Sequence, residues 1–101
     1  MSKSNNSGSG DLQTALNNAA GLLSHDPRLA AEQAQEILKV YPGTTKAKRI
    51  MASAFRLQGK PRKGLDILKP LYAAYKDSPD FLQEIAQCYG AVGRGEKAIR
   101  N

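Results

Sequence analysis

The chain has 101 residues, of which 41% are hydrophobic, and carries a formal net charge of +6. This length supports a single domain, the lone cysteine excludes an intramolecular disulfide, and no apolar run reaches the ~18 residues of a membrane span. The first residues lack the pattern of a secretion leader, so the sequence predicts a cytoplasmic protein without a membrane partner.

Residues 1–10 contain Ser, Asn, Gly and Lys with no apolar residue after the initial Met. They cannot bury surface, and we expect a disordered tail. Residues 11–101 are predicted to form one all-α domain. Asp11 is the predicted cap of its first helix, in which apolar residues recur at steps of three and four, although two asparagines and a glycine weaken the middle.

Caps and helix breakers divide the remaining chain. Proline at the first helical position loses no hydrogen bond, and Asp, Ser or Thr before a helix can accept one from its free N–H groups. The second helix is predicted to end at Tyr41-Pro42-Gly43 and the third at Gln58-Gly59. The further helix starts are predicted at Asp26-Pro27, Thr44 or Thr45, Lys60-Pro61, Ser78-Pro79 and, after a turn at Gly93-Arg94-Gly95, Glu96.

Pro70 lies inside the predicted fourth helix. Proline has no backbone N–H and its ring collides with the carbonyl four residues earlier. We therefore expect the fourth helix to kink or loosen around Asp66 and Ile67.

One residue pattern occurs twice at a spacing of 34 residues. Met51-Ala52, Phe55 and Gly59 recur as Ile85-Ala86, Tyr89 and Gly93, since 86 − 52, 89 − 55 and 93 − 59 are all 34. A fixed period of this length predicts stacked helix pairs. The predicted repeats are 11–44, 45–78 and 79–101, and the incomplete third repeat suggests a fragment of a longer protein, because repeat arrays need a capping helix.

This pattern resembles the tetratricopeptide repeat (TPR), in which small residues lie where two helices touch and an aromatic residue packs between them. Pro42 matches the proline that closes a repeat, and Ala30 and Ala34 match helix contact positions. Gly64 departs from the usual alanine, and Lys76 from the closing proline. The resemblance implies antiparallel helix pairs in a short right-handed α-solenoid that binds proteins or extended peptides in its concave groove.

A narrower resemblance covers most of residues 22–99. The run from His25 to Ala34, the triplet Leu57-Gln58-Gly59 and the segment from Gly93 to Ile99 are similar to the N-terminal region of bacterial TPR-containing sulfotransferases. In that family a following domain binds the sulfate donor PAPS. The chain is therefore expected to be non-catalytic by itself, with no catalytic, cofactor or metal residue; the alternative is a free-standing adaptor or chaperone.

The region from Thr45 to Lys76 holds nine basic residues and one acidic residue. Four polar residues there recur at steps of three and four and share one helix face. We predict a cationic clamp for an acidic peptide, with a solvated face as the alternative. The residues that the TPR resemblance places in the groove are Lys46, Arg49, Ser53 and Arg56 in the second repeat and Asp80, Gln83, Gln87 and Gly90 in the third.

Other chemistry is not expected. A nucleic-acid interface is disfavoured because Phe55, Phe81 and Tyr89 are assigned to the core. His25 has no neighbouring ligand and is read as a turn residue, and Cys88 as a core residue. The glycines near the end follow no strand and do not form a phosphate loop. Self-association through the last helix is a further expectation.

Overall fold

The computed structural model describes the backbone of residues 9–100 and the side chains of residues 11–94. Over that part of the chain every regular element is helical, which confirms the all-α fold class. Short turns join the successive helices. The elements are α1 (Ser9–Leu22), α2 (Pro27–Val40), α3 (Thr45–Leu57), α4 (Pro61–Leu68), a 3-10 turn (Lys69–Leu71), α5 (Tyr72–Tyr75) and α6 (Pro79–Arg100).

Helix α1 begins two residues earlier than the sequence predicts. Ser9 and Gly10 are helical, so the predicted tail of residues 1–10 is too long by two residues, and residues 1–8 lie outside the described part. Asp11 is consequently not the cap but a residue of the first turn. A carboxylate in that position still interacts favourably with the positive end of the helix dipole.

Helix α2 begins and ends as the sequence predicts. The Asp26 side chain accepts a hydrogen bond of 3.1 Å from the backbone N–H of Leu29, and Pro27 occupies the first helical position. At the other end the backbone N–H of Tyr41 donates to the carbonyl of Ile37. These bonds use polar groups that the helix itself leaves unpaired.

Helix α3 ends in a glycine turn that sets its direction relative to α4. The N–H of Lys60 donates to the carbonyl of Phe55 and that of Gly59 to the carbonyl of Arg56, the paired bonds of a Schellman motif. Gly59 has φ +82°, where a β-carbon would be strained. At the start of α3 the Thr44 hydroxyl makes no capping bond and instead donates to the Tyr41 carbonyl.

Pro70 interrupts the fourth helix, as the sequence predicts, but slightly later in the chain. Helix α4 ends at Leu68, and the residues around the proline form the 3-10 turn before α5 continues. Because Pro70 has no N–H, the bond to the carbonyl of Asp66 cannot form. The tighter 3-10 geometry carries the chain past the missing bond.

Helix α6 is continuous through the glycines where the sequence predicts a turn. The turn at Gly93-Arg94-Gly95 and a separate helix from Glu96 are therefore wrong for the described backbone. The reason lies in the residue that follows each helix. Pro61 comes shortly after α3 and cannot continue that helix, whereas the matching position on α6, 34 residues later, is Gly95. Glycine permits a turn but does not impose one.

The core divides into two main clusters that α3 joins. The N-terminal core comes from α1, α2 and α3, and the C-terminal core comes from α3, α4 and α6. Cys88 is 1% exposed and belongs to the C-terminal core, as the sequence predicts. The N-terminal core contains Leu16, Ala19, Ala34, Ile37, Ala47 and Ile50, and the C-terminal core contains Ala52, Leu65, Leu68, Phe81, Ile85 and Cys88.

Gly64 marks the closest approach of α4 to α3. A β-carbon built there would lie 2.9 Å from the backbone oxygen of Ala52 and 3.1 Å from the sulfur of Cys88. The first distance is shorter than real β-carbons show, and the opposing atom belongs to a helix backbone that cannot easily move. Gly64 is therefore required by packing.

Several large apolar side chains are exposed. Tyr89 is 53% exposed, so its assignment to the core is wrong, whereas Phe81 is fully buried. These side chains lie where no described helix packs against their own. The other large apolar side chains that are exposed are Leu29, Val40, Tyr41, Leu57, Tyr72 and Leu82.

Candidate functional site

A groove runs between α3 and α6, which lie side by side and point in the same direction. It contains two hollows, one after the other along both helices. The first hollow has a volume of about 540 Å³ and the second about 460 Å³. The first hollow is lined by Ala20, Leu23, Thr45, Lys46, Arg49, Ile50, Ser53, Tyr75, Asp80 and Glu84, and the second hollow by Arg56, Gln83, Ala86, Gln87, Gly90 and Arg94.

The residues that the TPR resemblance places in the groove all line one of these hollows, and they divide between the two. Both helices contribute to each hollow because α3 and α6 are parallel. Lys46, Arg49, Ser53 and Asp80 line the first hollow, and Arg56, Gln83, Gln87 and Gly90 line the second.

Arg49 is bound to a carboxylate of the protein itself. Its Nε donates to Glu84 Oε1 at 2.8 Å and its Nη2 donates to Glu84 Oε2 at 2.9 Å, a two-pronged contact between α3 and α6. The hydrogen bond to Glu84 raises the pKa of the Arg49 guanidinium above its ordinary value, while partial burial opposes the rise and Asp80 adds to it. One edge of the guanidinium, formed by Nε and Nη2, is therefore already occupied and is not open to a peptide carboxylate.

Glu84 is a groove residue that sequence reasoning missed. It follows Asp80 by one helical turn, so the two acids share the side of α6 that faces the first hollow. That spacing was the available signal. With Lys46 and Arg49 opposite Asp80 and Glu84, the formal charges of the first hollow cancel.

Two aromatic rings pack next to this ion pair. The guanidinium carbon of Arg49 lies 5.9 Å from the ring centroid of Phe81, near the outer limit for a cation–π contact. The Phe81 ring lies 5.7 Å from that of Tyr75, whose hydroxyl donates to Thr45 Oγ1 at 3.2 Å. Arg49 therefore helps to hold α6 against α3, and its role is at least partly structural.

The second hollow has a different electrostatic character. Its lining holds two arginines, two amides and no acidic residue. Neither Arg56 nor Arg94 forms an ion pair with any side chain among residues 11–94. Arg94 Nη1 lies 3.6 Å from the place that a β-carbon of Gly90 would occupy, so the side chain runs back along α6 over that glycine.

Arg94 was missed because the sequence predicts a turn at its position. On a continuous α6 it lies one turn beyond Gly90 and two turns beyond Gln87, on the face that lines the second hollow. The straight helix therefore adds a cation to the groove.

The reactive side chains outside the groove offer little chemistry. Burial raises the pKa of the Cys88 thiol, and Glu84 adds to this while Arg56 opposes it. His25 is exposed beside the first residues of α2. No group of three or more His, Cys, Asp and Glu side chains suited to a metal ion occurs among the described residues.

Exposure of Tyr89 also bears on nucleic acid. A nucleic-acid interface is disfavoured if Phe55, Phe81 and Tyr89 all lie in the core. Tyr89 instead lies on the surface of α6. The expectation that the chain binds no nucleic acid stays a prediction with less support. No described helix is both long enough and apolar enough to cross a membrane.

No protein-family model, curated protein or solved structure matches this chain.

Proposed function

We propose that this chain is a non-catalytic module that binds a protein or peptide segment in the groove between α3 and α6. The observation that carries the proposal is the groove itself: two consecutive hollows of about 540 and 460 Å³ along a pair of parallel helices. Such a shape suits an extended segment that places successive side chains into successive hollows. Its lining mixes polar and apolar surface, as the interfaces of complexes that form and dissociate do.

A TPR-like, right-handed solenoid is the architecture we propose for these helices. Its support is the spacing of helix starts, because α2 and α4 begin at Pro27 and Pro61, and α3 and α6 begin at Thr45 and Pro79. Both differences, 61 − 27 and 79 − 45, equal the 34-residue spacing of the sequence pattern.

Two larger contexts fit such a module. The resemblance over residues 22–99 supports the N-terminal region of a larger, cytoplasmic, sulfotransferase-like bacterial protein, in which catalysis and PAPS binding would belong to another domain. The alternative is a free-standing adaptor or chaperone with a basic groove for acidic peptides, and the uncompensated charge of the second hollow favours it. The coding sequence beyond residue 101 distinguishes the two contexts.

The binding proposal can be tested with random peptides displayed on phage and selected on the folded chain. Selected peptides, titrated into ¹⁵N-labelled protein, should shift the amide signals of α3 and α6. Ser53 lines the first hollow, so Ser53→Tyr should fill it and weaken binding by about tenfold or more.

Gln35→Tyr, on the exposed side of α2, is the matched control and should leave the affinity unchanged. Circular dichroism of both variants establishes that they are folded. Selected peptides that shift only signals outside α3 and α6, or that bind Ser53→Tyr as tightly as the parent chain, would contradict the proposal.

A further inference from the structure

The second hollow combines four groups that can hold an anion. Arg56 comes from α3, and Gln83, Gln87 and Arg94 come from α6. Arginine stays charged at any physiological pH and presents a planar fork of N–H donors, while each glutamine amide adds two more. Ala86 carries a small side chain, so a ligand can approach α6 closely beside the Arg94 guanidinium, which lies over Gly90.

The two arginines are available to a ligand. Neither makes an ion pair with a side chain among residues 11–94, and the nearby carboxylate of Glu84 is already bound to Arg49. The lining contains no acidic group that would repel an anion. The first hollow, where Asp80 and Glu84 offset the cations, lacks this property.

Charge and shape point to the kind of anion. A peptide carboxylate carries one negative charge and is satisfied by a single arginine fork. A phosphorylated side chain carries about −1.5 to −2 at pH 7 and has three acceptor oxygens, enough for two forks and an amide. The hollow supplies positive charges from two different helices, and neither charge has an ion-pair partner among residues 11–94.

We infer that the second hollow is a phosphate-binding site that receives a phosphoserine or phosphothreonine of the bound partner segment. This inference rests on the proposed function, because the remainder of the segment would continue along the groove into the first hollow. Phosphorylation of the partner then acts as the signal that raises its affinity for this chain.

The test uses four probes at low ionic strength: inorganic phosphate, and three blocked pentapeptides that differ only in a central phosphoserine, glutamate or serine. Binding is followed by NMR through the side-chain N–H signals of Arg56, Arg94 and Gln87. The phosphoserine peptide should bind at least about tenfold more tightly than the glutamate peptide and than inorganic phosphate. The serine peptide should bind most weakly.

Variants locate the site. Arg56→Gln and Arg94→Gln should each weaken binding of the phosphoserine peptide by roughly fivefold to tenfold, because each removes one charge-assisted contact. Lys69→Gln removes an equal charge from an exposed residue that lines neither hollow and is the matched control, with a change below about twofold. Ala86→Leu should block the hollow while leaving the helical signal intact.

Three results would overturn the inference. Equal affinity of the glutamate and phosphoserine peptides would make the hollow a general acid-binding surface. If inorganic phosphate binds as tightly as the phosphoserine peptide, the hollow is a site for free phosphate and not for a phosphorylated partner. An equal loss in Lys69→Gln would show that net charge alone drives binding.

The result is separable from the proposed function. If peptides selected by phage display still bind Arg56→Gln and Arg94→Gln with full affinity, and the phosphoserine peptide gains nothing, the groove function stands and the phosphate site does not. If no selected peptide binds the groove, the proposed function fails whatever inorganic phosphate does.

Discussion

Helices α3 and α6 carry the same residue pattern, but two pattern positions that are buried or half-buried on α3 are exposed on α6. Ala52 is fully buried, whereas Ala86, 34 residues later, is exposed. Phe55 is half-buried, with Lys63 Nζ 5.5 Å from its ring centroid, whereas Tyr89 is 53% exposed. A pattern shows which residues are suited to burial, but a neighbouring helix must be present to bury them.

On α3 that neighbour is α4. The glycine turn after α3 and the proline that starts α4 reverse the chain, and Gly64 lets the two helix backbones approach. On α6 the chain continues straight through Gly93. Tyr89 of α6 is therefore left to solvent, and Arg94 joins Ala86 in the lining of the second hollow.

The largest difference between the two helices should come from enlarging the matched alanines. Ala52→Leu should destabilise the fold by about 1–3 kcal/mol or prevent folding, because the added atoms have no room beside α4. Ala86→Leu should change stability by less than about 0.5 kcal/mol, because its side chain meets solvent. Urea denaturation followed by circular dichroism measures both, and equal effects would contradict the assigned burial.

Gly64→Ala should be the next most damaging change. The new β-carbon would lie 2.9 Å from the backbone oxygen of Ala52, and the strain should outweigh the ~1 kcal/mol that alanine contributes to helix propensity. We expect a net loss of about 1–2 kcal/mol in urea denaturation. Gly21→Ala is the control, since a β-carbon there meets nothing within 4 Å. A stabilised Gly64→Ala would show that α3 and α4 lie further apart.

Alanine at Gly59 and at Gly93 should have opposite effects. Gly59→Ala places a β-carbon at φ +82° and should cost about 1 kcal/mol. Gly93→Ala should stabilise the chain by up to about 1 kcal/mol, because Gly93 lies inside a continuous helix with open space around it. Thermal denaturation compares the two variants directly. A loss of stability in Gly93→Ala would instead support the turn that the sequence predicts at Gly93.

The two arginines of α3 should differ in their effect on stability. Arg49→Ala breaks the contact with Glu84, whose side chain is 29% exposed, and should cost about 1 kcal/mol after allowance for solvent screening. Arg56→Ala removes no ion pair with a described residue and should change stability by less than about 0.5 kcal/mol. The Arg49 effect should diminish in 1 M salt, and persistence of its full size would argue against an electrostatic cause.

The Cys88 thiol should react at different rates in the folded and the unfolded chain. Because burial raises its pKa, less thiolate is present in the folded chain at pH 8 than in the unfolded chain. Reaction with a disulfide reagent should be roughly tenfold slower or more in buffer than in urea, and a rise in pH should accelerate it. A fast reaction in buffer would place the sulfur at the surface.

The sequence was sufficient for much of the fold because its strongest signals are local. Asp26 with Pro27 and Lys60 with Pro61 mark helix boundaries through hydrogen bonding and ring geometry within a few residues, and the structure confirms both. The helical spacing of apolar residues likewise identified most of the two cores. The charged face of α3 was visible in the same way.

Tertiary structure decided which of those charges and surfaces remain available. Arg49 and Glu84 are 35 residues apart, and no local rule pairs them; only the parallel packing of α6 on α3 joins the carboxylate to the guanidinium. The straight course of α6 in turn brings Arg94 to the groove and leaves Tyr89 exposed. Helix boundaries depend on residues that are neighbours in the sequence, whereas ion pairs and side-chain burial depend on which helices come into contact.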